Sequence, residues 1–293
     1  MSFLTHLYEV LSGLLDPWIF MGLSGSWIPQ TVTTLIKTRQ IDVLLSPSKF
    51  QDAWFGNFWG WAGPNVKLGA EKRVIPLLEG RTKGGQIVQY PTGPGIEGVC
   101  IEIGAGSGFW VDIFSNKHLD KTATGQESAR KKVTRVYGVE PNRDQHVKLR
   151  QHIAQAGLED VYEIVPVGIE DLNDPSKWGS KVEKESVDCI VSILCLCGIP
   201  QPQDNLKEIY GYLKKGGRWY VYEHVRADRN WGIRIYQAFV NLFWPNFLGG
   251  CQLCRPTEQW LREVGPWAKI DVGQPVDEPW YQVVPHMLGV YTK

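Results

Sequence analysis

At residues 99–108 the chain reads Val-Cys-Ile-Glu-Ile-Gly-Ala-Gly-Ser-Gly: an apolar run that ends in a carboxylate, then three glycines at alternate positions. The run predicts a strand covered on both faces. The glycines predict a tight turn where backbone approaches a ligand closely. Strand, acid and glycine turn together belong at the carboxyl edge of a parallel sheet. The spacing is not the dinucleotide fingerprint, whose third glycine stands three residues after its second. Gly108 follows Gly106 by two, and Phe109 stands where that fingerprint has Gly or Ala.

The text downstream alternates. Residues 133–139 predict a second strand, 142–156 a helix and 162–168 a third strand. Residues 186–196 predict a fourth strand, apolar through its middle, and 204–213 a helix with Lys214-Lys215-Gly216-Gly217 as its exit turn. Residues 218–224 predict a fifth strand, and 270–272 with 287–291 a closing hairpin pair. Residues 115–132 are polar, charged and aperiodic, which predicts an inserted surface loop. The expected fold is α/β: a doubly wound, mostly parallel, seven-stranded sheet of Rossmann-like type.

Before the sheet, Phe3, Leu4, Leu7, Tyr8, Leu11, Leu14 and Leu15 fall at helical spacing, and Asp16-Pro17 is expected to end that helix. A second helix is expected over 29–37, then the aromatic cluster Phe50, Trp54, Phe55, Phe58, Trp59 and Trp61, and the end of a lead-in helix at 73–78. Residues 1–70 are therefore read as an N-terminal helical cap or lid. Residues 71–293 are the sheet domain, in which 226–256 form a helical insertion after strand five. That insertion carries Trp231, Tyr236, Phe239, Phe243, Trp244 and Phe247. The aromatics suit either ordinary core packing or an apolar pocket.

Composition excludes several classes. With 31 basic and 31 acidic residues in 293, a nucleic-acid surface is not expected. Six cysteines in a chain of this length do not form a disulfide scaffold. Cys251-Gln-Leu-Cys254 has redox or metal spacing, but no matching second pair completes a zinc site, so no metal is expected. The first residues lack a basic stretch and a small-residue cleavage site, which speaks against a secretory signal. Asp16 and Pro17 break the longest apolar stretch short of the roughly 20 residues that a span needs. A cytoplasmic home is expected. The first helix carries no Lys or Arg, unlike most interfacial helices, so peripheral contact of residues 1–30 with an intracellular membrane is the lesser alternative.

Ligands of doubly wound sheets sit at the carboxyl ends of the strands. Five features of this chain fall there: Gly104, Gly106 and Gly108; Glu140 in Val139-Glu140-Pro141-Asn142; Gly168-Ile169-Glu170-Asp171; Leu194-Cys195; and Glu223-His224. An acid at Glu140 suits the two hydroxyls of a ribose. Glu170 and Asp171 suit a ligand's base or a plain helix cap. His224 is the candidate general base, with Glu223 to orient it; the same two residues also suit a structural pair.

Motif by motif, residues 101–293 resemble a class I S-adenosylmethionine-dependent methyltransferase. More closely they resemble the methyltransferase-like seven family, the microsomal alkyl thiol S-methyltransferases, in their fungal form. The matching text is Glu102-Ile-Gly-Ala-Gly-Ser-Gly108, Gly138-Val-Glu-Pro-Asn142, Ser186-Val-Asp-Cys-Ile190, Leu194-Cys195, Leu213-Lys-Lys-Gly-Gly217, Tyr222-Glu-His-Val225, Gly250-Cys-Gln-Leu253, Arg255, Pro285-His286, Gly289 and Lys293. The resemblance implies S-adenosylmethionine as methyl donor, S-adenosylhomocysteine as product and a small apolar acceptor, sulfur before oxygen or nitrogen. It also implies an antiparallel last strand. By position, Glu102, Gly104, Ala105, Gly106 and Gly108 would face the donor's methionine part, and Glu140, Pro141 and Asn142 its ribose. Gly168, Ile169 and Glu170 would flank the adenine, and Leu194 and Cys195 the reactive half. Gly168 departs from the family, where an Asp often holds the adenine amino group. The N-terminal stretch is less apolar than the family's anchor. A methylating enzyme of secondary metabolism and a methyltransferase fold that does not methylate, such as a cyclase or an interaction protein, remain alternatives.

Overall fold

Five parallel strands carry the larger of two compact units in the computed structural model, which describes residues 3–115 and 132–293. The expected loop at 115–132 lies outside the described residues apart from its two ends. This unit comprises residues 66–223, 257–276 and 286–293. Its sheet has seven strands: β3 (Gly98–Ile103), β4 (Val133–Val139), β5 (Tyr162–Val165), β6 (Val187–Ile193), β7 (Leu213–His224), β8 (Lys269–Gly273) and β9 (His286–Thr292). A short hairpin, β1 (Thr82–Lys83) and β2 (Gln86–Ile87), precedes them.

The sheet order is β5-β4-β3-β6-β7-β9-β8, and β8 and β9 are antiparallel. β3 is flanked on both sides, by β4 and β6, and the chain after β5 crosses to β6 on the other side of β3. The switch point thus falls at the carboxyl end of β3, where a doubly wound sheet opens its ligand crevice. β6 is buried from Cys189 to Ile193, as expected of a strand covered on both faces. Helix α5 (His146–Ala156) packs Leu149 and Ile153, one turn apart, into the core and stops at Gly157, whose φ of 65° closes its last turn.

The exit turn expected at 214–217 is instead part of β7. Leu213 pairs with Val187 and Arg218 with Cys189, so residues 214–217 bulge out of a continuous strand. Gly216 takes the left-handed φ of 79° that the bulge needs, and its N–H donates to the Lys293 carbonyl at 2.7 Å.

The second unit comprises residues 1–65, 224–256 and 277–285. It holds α1 (Phe3–Gly25), α2 (Ile28–Lys37), α3 (Ile41–Leu45) and the start of α4 (Pro47–Leu78), and later helices at Trp231–Asn241 and Trp244–Phe247. Pro17 does not end α1, contrary to expectation. A proline inside a helix loses one backbone hydrogen bond and crowds the carbonyl of the residue four back, here Gly13, and tertiary packing carries the helix through it. Pro17 is itself buried, and Leu14 and Met21 on the same helix pack into the unit's core. Likewise α4 runs unbroken for 32 residues through Gly60, Gly63 and Pro64.

Most of the aromatic cluster is core. Phe58, Trp54 and Trp244 are buried, and Trp18, Phe20, Trp27, Phe55 and Trp59 pack on that core. The outer side of α1 stays exposed at Phe3, Leu4, Tyr8, Leu11, Leu15 and Ile19. Among the described residues no helix is long and apolar enough to cross a membrane.

Candidate active site

The glycine turn after β3 is built from left-handed backbone: φ is 69° at Gly104, 56° at Gly106 and 88° at Gly108. A Cβ at Gly104 would stand 2.7 Å from the Cβ of Cys195, so the loop after β6 approaches the turn through that missing side chain. At Gly106 a Cβ would make only an ordinary contact, 3.9 Å from the Gly104 carbonyl oxygen, so that glycine answers to conformation alone. The N–H groups of Gly104 and Ala105 both donate to the carbonyl of Val139 at 3.1 Å, which ties the turn to the end of β4.

Glu140 follows directly. One carboxylate oxygen accepts the Gly106 N–H and the other the Asn142 N–H, each at 2.8 Å. Its own carbonyl accepts from Nε2 of buried His146 at 2.7 Å. Glu140 is itself buried, and that burial lifts its carboxyl above the ordinary value against the pull of the two N–H bonds. Carboxylate oxygens hold about four acceptor sites, so each has capacity left for a ligand hydroxyl.

Glu102 lies under the turn, also buried, and accepts a hydrogen bond from the Tyr162 hydroxyl. Burial pushes its carboxyl up to about 7, opposed by the tyrosine bond and reinforced by the negative charges of Asp112 and Glu140. Folding thus favours the protonated form. Glu102 carries no penalty below the ordinary carboxylate value, and the penalty for holding it ionised grows until about 7 and persists above.

Gly168 sits where a side chain would overlap the Glu170 carboxylate, so the glycine lets Glu170 fold back across it. Ile169 is buried and Glu170 exposed, in a short 3-10 turn at Ile169–Asp171. After β6, Leu194 takes a φ of 54° and donates its N–H to the Tyr222 carbonyl at 2.8 Å. Glu223, wholly buried, accepts the Cys195 and Leu196 N–H groups at 3.0 Å each and the Cys195 thiol at 3.3 Å. Burial and the neighbouring carboxylate raise Cys195 well above the usual thiol range, so it is a neutral thiol.

Glu102, Gly104, Ala105, Gly106, Glu140, Asn142, Leu194, Cys195 and Glu223 are thus linked by these contacts into one cluster within the sheet unit. His224, the next residue in the chain, belongs to the second unit, where its Nδ1 lies 3.7 Å from the Cys251 sulfur. Glu223, expected to orient His224, spends the bonds described here on the loop after β6. Sequence reasoning missed three members. Tyr162 holds Glu102, His146 holds the Glu140 carbonyl, and His152 donates from Nδ1 to the Ser107 carbonyl at 2.6 Å. The two histidines had one readable signal: on α5 their positions flank Leu149, a buried residue at helical spacing.

A family model described as a methyltransferase domain matches residues 84–264, more than half of the chain. The thiol S-methyltransferase TMT1B of Rattus norvegicus is 29% identical over 109 residues, which are 37% of this chain and 44% of that protein. The human thiol S-methyltransferase TMT1A is 31% identical over 116 residues, 39% of this chain and 46% of that protein. The chain thus spans less than half the length of the curated relatives it matches. A solved structure of geranyl diphosphate methyltransferase in complex with S-adenosylmethionine superposes with a TM-score of 0.49 at 11% identity, covering 78% of this chain and 86% of that one. With the family match spanning β3 to β7 and the glycine turn at its switch point, the chain belongs to the methyltransferase-domain family, the class I S-adenosylmethionine-dependent methyltransferases.

Proposed function

We propose that this protein transfers a methyl group from S-adenosylmethionine to a small apolar thiol. One observation supports it above the others: the left-handed glycine turn is bracketed by a buried carboxylate, Glu140, and underlain by a second, Glu102. That cradle fits a ligand with a cationic amino-acid end and a ribose. On this reading Glu102, Gly104, Ala105, Gly106 and Gly108 hold the methionine part, and Glu140, Pro141 and Asn142 the ribose. Gly168, Ile169 and Glu170 flank the adenine, and Leu194 and Cys195 the reactive half. The bound donor supplies a sulfonium-linked methyl carbon open to in-line attack, and leaves as S-adenosylhomocysteine.

The chain's own part is to place and to deprotonate. Its backbone fixes the donor's orientation, which removes entropy from the barrier. The neutral thiol of Cys195 keeps a competing nucleophile silent beside the donor. His224 is the proposed base for the acceptor: at the end of β7 its imidazole already stands within sulfur hydrogen-bond distance of one thiol, Cys251. An alkyl thiol with a pKa of about 8.5 is only a few per cent ionised at neutral pH. His224→Ala is therefore expected to slow thiol methylation about a hundredfold at pH near 7, with the gap closing where the thiol ionises unaided. A pH profile of kcat/KM parallel to the parent's would remove His224 from the mechanism.

The choice of sulfur rests on the thiol-methylating relatives and is tested by mass spectrometry of products from a panel of alkyl thiols, phenols and amines. Methyl thioethers from the thiols, with little product from phenols or amines, are expected. Methylation confined to oxygen or nitrogen would refute the thiol reading, and no methylated product with any acceptor would refute methyl transfer itself.

A further inference from the structure

Tyr162 reaches Glu102 across an intervening strand. Glu102 pairs with Gly138 between β3 and β4, and Gly138 pairs with Ile164 between β4 and β5. Tyr162 lies two residues before Ile164, opposite Val136, so its ring must pass over the β4 backbone to deliver its hydroxyl to the β3 carboxylate. It passes at Gly138, where any Cβ would overlap the phenol oxygen and ring. A glycine inside a strand otherwise weakens it; here it opens the lane. The edge of Phe114 supports the tyrosine ring, with centroids 6.2 Å apart.

We propose that Tyr162 is a positioning residue that holds the Glu102 carboxyl group in place through the gap at Gly138, and that this couple makes binding of the methyl donor proton-linked. The second half rests on the reading of the glycine turn as the donor's cradle. The groups that face Glu102 come from every neighbouring element. They are Tyr162 on β5, Glu140 at the end of β4, Asp112 after the glycine turn and the Cys195 thiol after β6. Asp112 is ion-paired with Lys67, and His146 faces Glu140. The charges acting directly on Glu102 are thus negative, and burial adds to them in favouring its proton. Burial and the carboxylate keep Tyr162 well above its ordinary range, so it stays a donor throughout. A cationic ligand set against Glu102 reverses the balance and expels the proton.

Carboxyl-carbon NMR of isotope-labelled protein reads the couple without ligand, and calorimetry with S-adenosylmethionine in buffers of different ionisation enthalpy reads the linkage. In the parent, Glu102 is expected to titrate near 7, and donor binding to release protons around neutrality with affinity rising as pH rises. In Tyr162→Phe the Glu102 midpoint is expected to climb by about one unit, with affinity about tenfold lower at neutral pH and the deficit shrinking in alkali. A purely structural tyrosine would lower affinity equally at every pH. An unchanged Glu102 midpoint in Tyr162→Phe overturns the proposal. If that variant does not fold, the parent decides: Glu102 titrating as an ordinary surface glutamate overturns it, and titration near 7 sustains it. A parent in which the couple titrates as stated but which binds no donor would instead refute the donor cradle and leave the positioning contact standing.

Discussion

Glu140→Ala is expected to weaken S-adenosylmethionine binding by about a hundredfold or more, measured by calorimetric titration against the parent. The magnitude follows from what the carboxylate holds. Its two oxygens accept the N–H groups of Gly106 and Asn142 in a buried setting. Each donor left without an acceptor costs roughly 1–3 kcal/mol, and each lost bond from a ligand hydroxyl to a charged acceptor a similar amount. The turn also loses its bracket, because the Gly106 N–H is fixed by a carboxylate at the end of the neighbouring strand β4. Glu140→Gln keeps the shape and one acceptor oxygen, and its loss is expected to be smaller, about tenfold. An affinity for Glu140→Ala equal to the parent's would show that the ribose is held elsewhere.

Glu223→Ala is expected to cost stability first and activity as a consequence. Wholly buried, Glu223 ties two successive N–H groups, those of Cys195 and Leu196, and one thiol. Removing it orphans both N–H groups at roughly 1–3 kcal/mol each. A total near 4 kcal/mol, or a melting temperature lower by about 10 °C, is the expected result by thermal or urea denaturation. Glu223→Gln, which keeps an acceptor oxygen, is expected to recover about half of it. A Glu223→Ala protein that melts with the parent would mean that the loop after β6 is held by other means.

The sheet was legible because its strands are short apolar runs set off by polar text. β4 is found at the expected 133–139, and β8 and β9 extend the expected hairpin pair by a residue or two. The acids and glycines at the strand ends were legible for the same reason: a switch point gathers strand ends whatever the loops between them. Local rules failed where tertiary contact overrode them. Pro17 reads as a helix stop, yet the packing of Leu14 and Met21 carries α1 through it. Lys214-Lys215-Gly216-Gly217 reads as a turn, yet the pairing of Leu213 and Arg218 on the same neighbour makes it a bulge. Glu223 reads as a partner of the adjacent histidine; its carboxylate also takes two N–H groups and a thiol from the loop after β6, which no local pattern announces. Tyr162 gave no local sign at all, since its partner stands 60 residues away. The one available clue was Gly138, a glycine inside a strand.

That glycine binds two positions into a single heritable unit. A lineage that acquired any side chain at 138 would evict the phenol at 162, and one that shortened 162 would leave a trench over β4 that a larger residue at 138 could fill. Substitutions at the two sites should therefore rise and fall together through descent, although they lie on different strands and both are buried.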